Sequence, residues 1–360
     1  MISPPRDAML ADVIQLVPAM QARAVELDAS EAFPEQDFQL LRELGALLAP
    51  LPVGLGGCGA GTEAIGADLL LGLLRASGQG NLAVGRLFEA HVNALQLIMA
   101  FGSASQTERA AADVRAGHLF GLWVTDPVGR TLTLDAGTLR GSKGPCSGAG
   151  HATRALVTVS TAAGTRMAVL AVDGSMAVEP MRGVLQGMRA AANGVVHFDG
   201  AALPVDALIG QPGDYLREPR LSCGAWRTTA VTLGGLDALT AATRDQLVRK
   251  RHQDAPLQQD RFGRMLIAQE TARLWTGAAA QRAERAEGSV ADRVAYVNLA
   301  RVAVEAACLD AMRLAQRALG LSAFVRPNPV ERLLRDLAVY LRQPAPDAVL
   351  TEAAHHALQA

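Results

Sequence analysis

The sequence has 360 residues, 50% of them hydrophobic and 19% charged, with a formal net charge of -1. That composition describes a folded chain with a substantial core, and the near-zero charge gives no electrostatic ground for binding nucleic acid or an anionic membrane. Cys58, Cys146, Cys223 and Cys308 are scattered without metal-ligand spacing, so neither a disulfide framework nor a zinc site is expected, and a reducing cytoplasm fits better. The N-terminus has no apolar signal segment behind a basic one, and no uncharged apolar run reaches about 18 residues, Val92–Phe101 coming closest. A cytoplasmic protein without a membrane span is expected.

In chain order, residues 8 to about 118 read as helices. Leu40, Leu41, Leu44, Leu47 and Leu48 form a helical stripe that ends before Pro50 and Pro52. Gly54-Leu55-Gly56-Gly57-Cys58-Gly59-Ala60-Gly61 invites comparison with a phosphate cradle. The element before it is a helix and a proline-bounded link, however, and no Lys-Ser/Thr follows. A turn in which glycines supply positive φ is the expected reading. Leu69–Ala76 and Val84–Phe101 continue the helical pattern, and Glu108–Val114 is a further helix ending at Gly117.

From about Phe120 the period changes to alternating. Phe120–Val124, Thr133–Gly141, Arg154–Ser160, Met167–Val172 and Val195–Phe198 are short strand-like runs separated by Gly, Asp and Pro. Without helices between them they predict an antiparallel sheet or small barrel instead of a Rossmann unit. From about Arg217 the chain is helical again, in Trp226–His252 and in Asp260–Glu287, which Gly288 stops. A third helix opens on the capping-box sequence Ser289-Val290-Ala291-Asp292 and runs to Gly320; a fourth starts at Pro329 and must stop by Pro344. The fold class expected is mainly α with a central β domain. It comprises an N-terminal helical domain (1–118), a middle antiparallel β-sheet or barrel (119–213) and a C-terminal four-helix bundle (214–360).

This order, with particular residues, resembles the acyl-CoA dehydrogenase-like flavoprotein superfamily over nearly the whole chain. Pro52–Gly59 is similar to the family's proline-to-GG-x-G loop, Trp123-Val124-Thr125-Asp126-Pro127 to its "x-V-T-E-P" strand end, and Leu139-Arg140-Gly141-Ser142-Lys143 to its "L-x-G-x-K" hairpin. Gly187-Met188-Arg189, Val196-His197-Phe198-Asp199, Leu203-Pro204 and Leu208-Ile209-Gly210 resemble a further signature, and Gly320 with Pro329–Asp336 resembles the "G-G-x-G…P-x-E-R-x-x-R-D" end. The resemblance implies FAD (or FMN) between the β domain and the bundle, in a homo-oligomer (dimer or tetramer) where the adenine end reaches a neighbouring subunit. It also implies a small-molecule substrate, acyl-CoA or a carrier-bound acyl thioester. It puts Thr125 near the flavin ring, Thr131 near the pyrophosphate and Ser147 against the flavin, with Lys250, Arg251 and Gly320 completing the expected cofactor-binding set. The chemistry is consistent, since an isoalloxazine needs donors and a pyrophosphate needs hydroxyls, N–H groups or Arg. Read without the family, Thr125 and Ser147 are strand-end residues satisfying local backbone, and Lys250-Arg251 is a solvated helix end.

The sequence also departs from the family. After "T-E-P" the usual Gly-Ala-Gly-Ser-Asp is here Val128-Gly129-Arg130-Thr131-Leu132, so Arg130 either pairs a phosphate or fills its place. The aromatic two residues beyond the hairpin lysine is Pro145, and the adenine-site motif survives only as Lys250–Pro256. Desaturating an acyl thioester removes a Cα proton while hydride leaves Cβ for the flavin, which requires a carboxylate at Cα. In the family it lies eight residues beyond the "R-D" aspartate; here that position is Pro344, which has no proton chemistry. The other family location, near Gly224–Trp226, holds no carboxylate, and Glu218 and Asp347 are merely the nearest. No catalytic residue and no metal site is therefore assigned. The leading reading is an FAD-dependent, acyl-CoA dehydrogenase-like oxidoreductase performing α,β-oxidation of an acyl thioester. The alternatives are a flavin-dependent monooxygenase on the same fold, whose branch needs no such carboxylate, and a degenerate non-catalytic member. His355 and His356 read as tail residues.

Overall fold

The computed structural model describes residues 6–359. Its first part is helical: α1 (Arg6–Ser30), α2 (Glu35–Glu43), α3 (Ala67–Gly80), α4 (Leu82–Phe101) and α5 (Ala104–Arg115). Asn81 caps α4 by accepting the Ala83 N–H, and Ser103 with Gln106 forms a reciprocal capping box on α5. The glycine segment before α3 is the expected turn, with φ of 88°, 69° and 88° at Gly56, Gly59 and Gly61. Gln96 of α4 donates to the Gly61 carbonyl and so pins the turn to that helix.

The strands are β1 (Phe120–Trp123), β2 (Thr133–Asp135), β3 (Thr138–Arg140), β4 (Ser142–Cys146), β5 (Arg154–Thr161), β6 (Gly164–Ala171), β7 (Val178–Pro180), β8 (Gly194–His197) and β9 (Leu208–Ile209). One sheet runs β3-β2-β5-β6-β9 with β1 also on β5; the other runs β4-β8-β7. Most pairings are antiparallel, but β1 is parallel to β5 along its whole length and β2 makes one parallel bridge to it. The expected antiparallel sheet is therefore mixed. The whole β2–β4 excursion serves as the long crossover that parallel neighbours need, and the period within one strand does not report its partner's direction.

β5 is buried on both faces. Ala155, Val157 and Val159 join Trp123, Leu139 and Phe198 in the core of the β domain, while Leu156 joins Phe120, Met167 and Ile209 in the helical core. The sheet thus welds two hydrophobic cores together.

The last part holds α6 (Arg220–Cys223), α7 (Ala225–Arg249), α8 (Pro256–Glu284), α9 (Val290–Leu319), α10 (Pro329–Tyr340) and α11 (Pro346–Gln359). Ser289 and Asp292 form the predicted capping box on α9. The stretch read as a tail is instead the helix α11, which packs along α9 and brings His356 Nε2 to 2.9 Å from Asp292 Oδ1. Pro344 lies in the break after α10, and Pro346 opens α11 at a first-turn position where its missing N–H costs nothing.

α10 clasps the parts to one another. Arg335 pairs with Asp28 of α1 (2.7 Å) and with Glu331 (2.6 Å), and donates to the Gln186 carbonyl (2.7 Å). Asp336 accepts the Met188 N–H (2.7 Å) and an Arg332 N–H (3.0 Å). Between them Gly187 lies so close to α10 that a Cβ would fall 2.2 Å from the Arg335 carbonyl oxygen. The Gly187-Met188-Arg189 and Arg335-Asp336 motifs are thus two halves of one contact.

Candidate functional site

A cavity of about 720 Å³ opens where α4, β1, the start of α7, the end of α8, α9 and the turn after α10 converge. Its wall includes Leu122 of β1, Glu89 and Asn93 of α4, Arg227 and Thr228 of α7, and Glu284 of α8. Glu89 is only 3% exposed, between the buried Phe88 and Ala90. It survives there because Thr228 Oγ1 (2.8 Å), Tyr340 Oη (2.8 Å), Asn93 Nδ2 (3.2 Å) and Arg86 Nη1 (3.2 Å) all donate to it. Burial and the Glu89 charge push the Tyr340 hydroxyl well above its ordinary range, so it remains a donor.

Glu284 is engaged on one side only. Its Oε1 accepts from Trp226 Nε1 (2.8 Å) and Arg227 Nη1 (3.4 Å), and no group of the described chain donates to Oε2. Burial raises its pKa against the pull of Arg227. A carboxylate with a raised pKa and one uncommitted oxygen at a cavity wall can take up or release a proton. Nearby, burial pushes the Cys223 thiol up to about 11, which leaves it protonated and unreactive at neutral pH. Pro344 lines the same cavity, whereas Glu218 and Asp347 lie outside its wall and Glu218 is bonded to Ser222 (2.6 Å).

Thr125, Thr131 and Ser147 are brought together along β4. The Thr125 carbonyl accepts the Gly144 N–H (3.0 Å), and Gly141 sits against Thr131, where a Cβ would lie 2.4 Å from the carbonyl oxygen. Ser147 follows the strand's end, so the row from Gly141 spans about 20 Å at about 3.3 Å per residue. Lys143 holds this edge: 1% exposed, it donates to Asp126 (2.5 Å) and Thr158 (2.9 Å). Asp126 also accepts the Leu132 N–H (3.3 Å), closing the loop whose ends carry Thr125 and Thr131. The Thr125 and Thr131 hydroxyls are exposed and make no hydrogen bond among the described residues, while Ser147 Oγ donates to Asn193 (3.1 Å). Arg130 is neutralised by Asp199 at 2.7 Å.

Lys250, Arg251 and Gly320 sit elsewhere. Lys250 Nζ donates to Ser322 Oγ (2.7 Å), and Gly320 has open space where a Cβ would be. They lie at the far end of α7, whose 25 residues span about 37 Å at about 1.5 Å per residue. One chain therefore presents two separate groups of the expected residues. Among the described residues no three His, Cys, Asp or Glu converge as a metal site, and no helix is long and apolar enough to cross a membrane.

Residues 216–341 match the family described as acyl-CoA dehydrogenase, C-terminal domain, and similar solved structures cover the rest. The chain has the fold of the acyl-CoA dehydrogenase-like superfamily. Butyryl-CoA dehydrogenase from Megasphaera elsdenii is similar with a TM-score of 0.84 and 17% identity, over 98% of both chains. KijD3, solved with FMN and dTDP-3-amino-2,3,6-trideoxy-4-keto-3-methyl-D-glucose, has a TM-score of 0.85 and 20% identity, over 100% of this chain and 95% of its own. Dibenzothiophene monooxygenase (TdsC) from Paenibacillus sp. A11-2 has a TM-score of 0.81 and 18% identity, over 98% and 97%. No curated protein matches the sequence. The acyl-CoA dehydrogenase-like fold read from the motifs is borne out, and it is a fold on which dehydrogenases and a monooxygenase are both built.

Sequence reasoning misses Glu89, Arg227 and Glu284. Glu89 carries a usable signal, the one carboxylate in the Leu87–Val92 run, where only His91 is also polar. Glu284 carries none, since it ends a helix with Arg282 and Arg285 beside it and only tertiary packing turns it inward.

Proposed function

We propose that the protein is a flavin-dependent oxidoreductase that holds FAD or FMN along the β4 edge and its substrate in the adjoining cavity. The observation that carries this reading is the continuity of β1. The same strand supplies Leu122 to the cavity wall and leads, three residues later, into the free hydroxyl of Thr125. The residues fit such a cofactor: two uncommitted hydroxyls, a row of backbone beside them, and a buried Lys143–Asp126 pair that fixes their spacing. On this same fold KijD3 was solved with FMN, and a glutaryl-CoA dehydrogenase of Mycobacterium smegmatis with FADH2. When bound, the flavin would supply two-electron redox chemistry.

Lys250, Arg251 and Gly320 serve the flavin of a neighbouring copy, because α7 separates them from Thr125 of their own chain. A homo-oligomer, dimer or tetramer, follows. The outer face of α8 offers it a surface, with Leu266, Ile267 and Leu274 exposed by 46%, 68% and 55%.

The leading substrate class is an acyl thioester, acyl-CoA or carrier-bound. In its α,β-oxidation the Cα proton passes to Oε2 of Glu284, since Pro344 cannot accept it. The anaerobic addition of an acyl-CoA panel tests this: bleaching of the flavin absorbance supports the dehydrogenase, and Glu284→Gln should slow that bleaching by about 10²–10⁴-fold with flavin content unchanged. Pro344 also favours a second reading, a flavin-dependent monooxygenase, which needs shielding and a proton donor rather than a base at that position. Oxidised flavin that acyl-CoA does not bleach, together with oxygen incorporated into an aromatic, nitrogen or sulfur substrate once the flavin is reduced, would select it. A colourless protein that takes up neither FAD nor FMN would leave only a non-catalytic binding role.

A further inference from the structure

The cavity carries more cationic groups than its own carboxylates neutralise. Arg220, Arg227, Arg293 and Arg301 line it together with Glu63, Glu89 and Glu284. Arg227 is paired with Glu284. Glu89 is consumed by Thr228, Tyr340, Asn93 and Arg86, and Glu63 by the Val53 N–H (3.0 Å). Among the described residues, no carboxylate forms an ion pair with Arg220, Arg293 or Arg301. Glu305, one turn beyond Arg301 on α9, is taken by Arg342 at 2.8 Å.

What these guanidiniums do touch is meagre. Arg301 Nη2 donates to the Pro344 carbonyl (2.5 Å), and the Arg220 guanidinium lies 5.8 Å from the Phe101 ring centroid. The Nε atoms of Arg293 and Arg301 are both buried with no hydrogen-bond partner. Arg166, Arg189 and Arg332 also have a buried Nε without a partner, but none of them lines this cavity, and Arg189 and Arg332 are paired with carboxylates. Arg293 makes no side-chain hydrogen bond among the described residues and Arg301 only the one to Pro344, so two cavity-lining guanidiniums on one helix lack an anionic acceptor. Arg293 and Arg227 also both pull on the Cys223 thiol electrostatically, so their charges reach one region of the wall.

We propose that the cavity binds a substrate through an anionic group, a carboxylate or a phosphate, seated among Arg220, Arg293 and Arg301. The fork of a guanidinium suits both, since each anion offers paired oxygens to parallel N–H donors. This rests on reading the cavity as the substrate site, and it narrows the substrate to one that carries negative charge near its bound portion. The uncharged part lies toward Leu97 and Leu122, which line the same space.

The test uses the full-length protein as purified and follows tryptophan emission, because Trp226 contacts both Glu284 and Arg227. Inorganic pyrophosphate is titrated in one arm and glutarate in the other. A saturable change at one equivalent is expected in at least one arm, and the tighter arm identifies the anion. Arg293→Gln and Arg301→Gln should each weaken it about tenfold or more with unchanged thermal midpoints, whereas Arg313→Gln, on the exposed face of α9 and outside the cavity wall, should leave it intact. No saturable change in either arm, or wild-type affinity in both the Arg293→Gln and Arg301→Gln variants, overturns the proposal. Flavin is not read in this experiment. A colourless protein that binds the anion keeps this inference while losing the flavoprotein reading, and a yellow one that does not bind loses this inference alone.

Discussion

Glu89 and Glu284 show one side chain put to two uses by its neighbours. Four donors saturate Glu89, which makes it a hub joining α4, α7 and α10, while Glu284 keeps an oxygen open at the cavity. His91 is a third buried titratable group: its Nε2–H donates to the Leu47 carbonyl (2.9 Å), and its Nδ1 accepts the Phe120 N–H (3.1 Å). Only the neutral ring can do both, and burial pulls its pKa from 6.5 to about 4. Because the folded value is depressed, its contribution is complete above pH 6.5 and is lost as pH falls toward 4. Urea unfolding should therefore show about 2 kcal/mol less stability at pH 5 than at pH 7.5 from this residue, and His91→Gln should flatten that part of the slope. An unchanged slope in the variant would refute the assignment. At the β4 edge, Lys143→Met should cost about 2 kcal/mol, a partly exposed Asp126 tempering the usual penalty for an orphaned charge, and should also loosen flavin binding. Equilibrium dialysis of Thr125→Ala should show flavin affinity lower by about fivefold, the worth of one hydrogen bond; wild-type affinity would remove Thr125 from the site.

α10 is the element that decides whether the three parts of the chain stay in register. Arg335 is 13% exposed and its partners Asp28 and Glu331 are as deeply set, so Arg335→Ala should cost about 3 kcal/mol, measured by chemical denaturation. Gly187→Ala should destabilise by a different route, forcing α10 away from residues 186–188. The sequence already contained both halves of that clasp as motifs, but neither spacing nor periodicity could say that they touch. Features governed by neighbours in the chain were legible: the positive-φ glycine turn, the Ser289–Asp292 capping box, the change of period at Phe120. Features that depend on what packs against what were not. The parallel β1–β5 pairing, the helix α11 behind two prolines and the inward turn of Glu284 all arise from contacts distant in sequence.

On the scale of the whole molecule, the proposed flavin site is completed by a second copy, because Lys250, Arg251 and Gly320 lie at the far end of α7. Replacing Ile267 and Leu274 on the α8 face with Glu should shift the protein to monomer in light scattering and weaken flavin binding together. Loss of the oligomer with full flavin retention would detach those residues from the cofactor. The proposed function stands on flavin being held by this acyl-CoA dehydrogenase-like fold. The visible absorbance of the purified protein, after incubation with FAD or FMN and removal of the excess, decides it. A flavin band near one equivalent per chain, reduced in Thr125→Ala, is the predicted result; a colourless, folded protein with no retained flavin would contradict it.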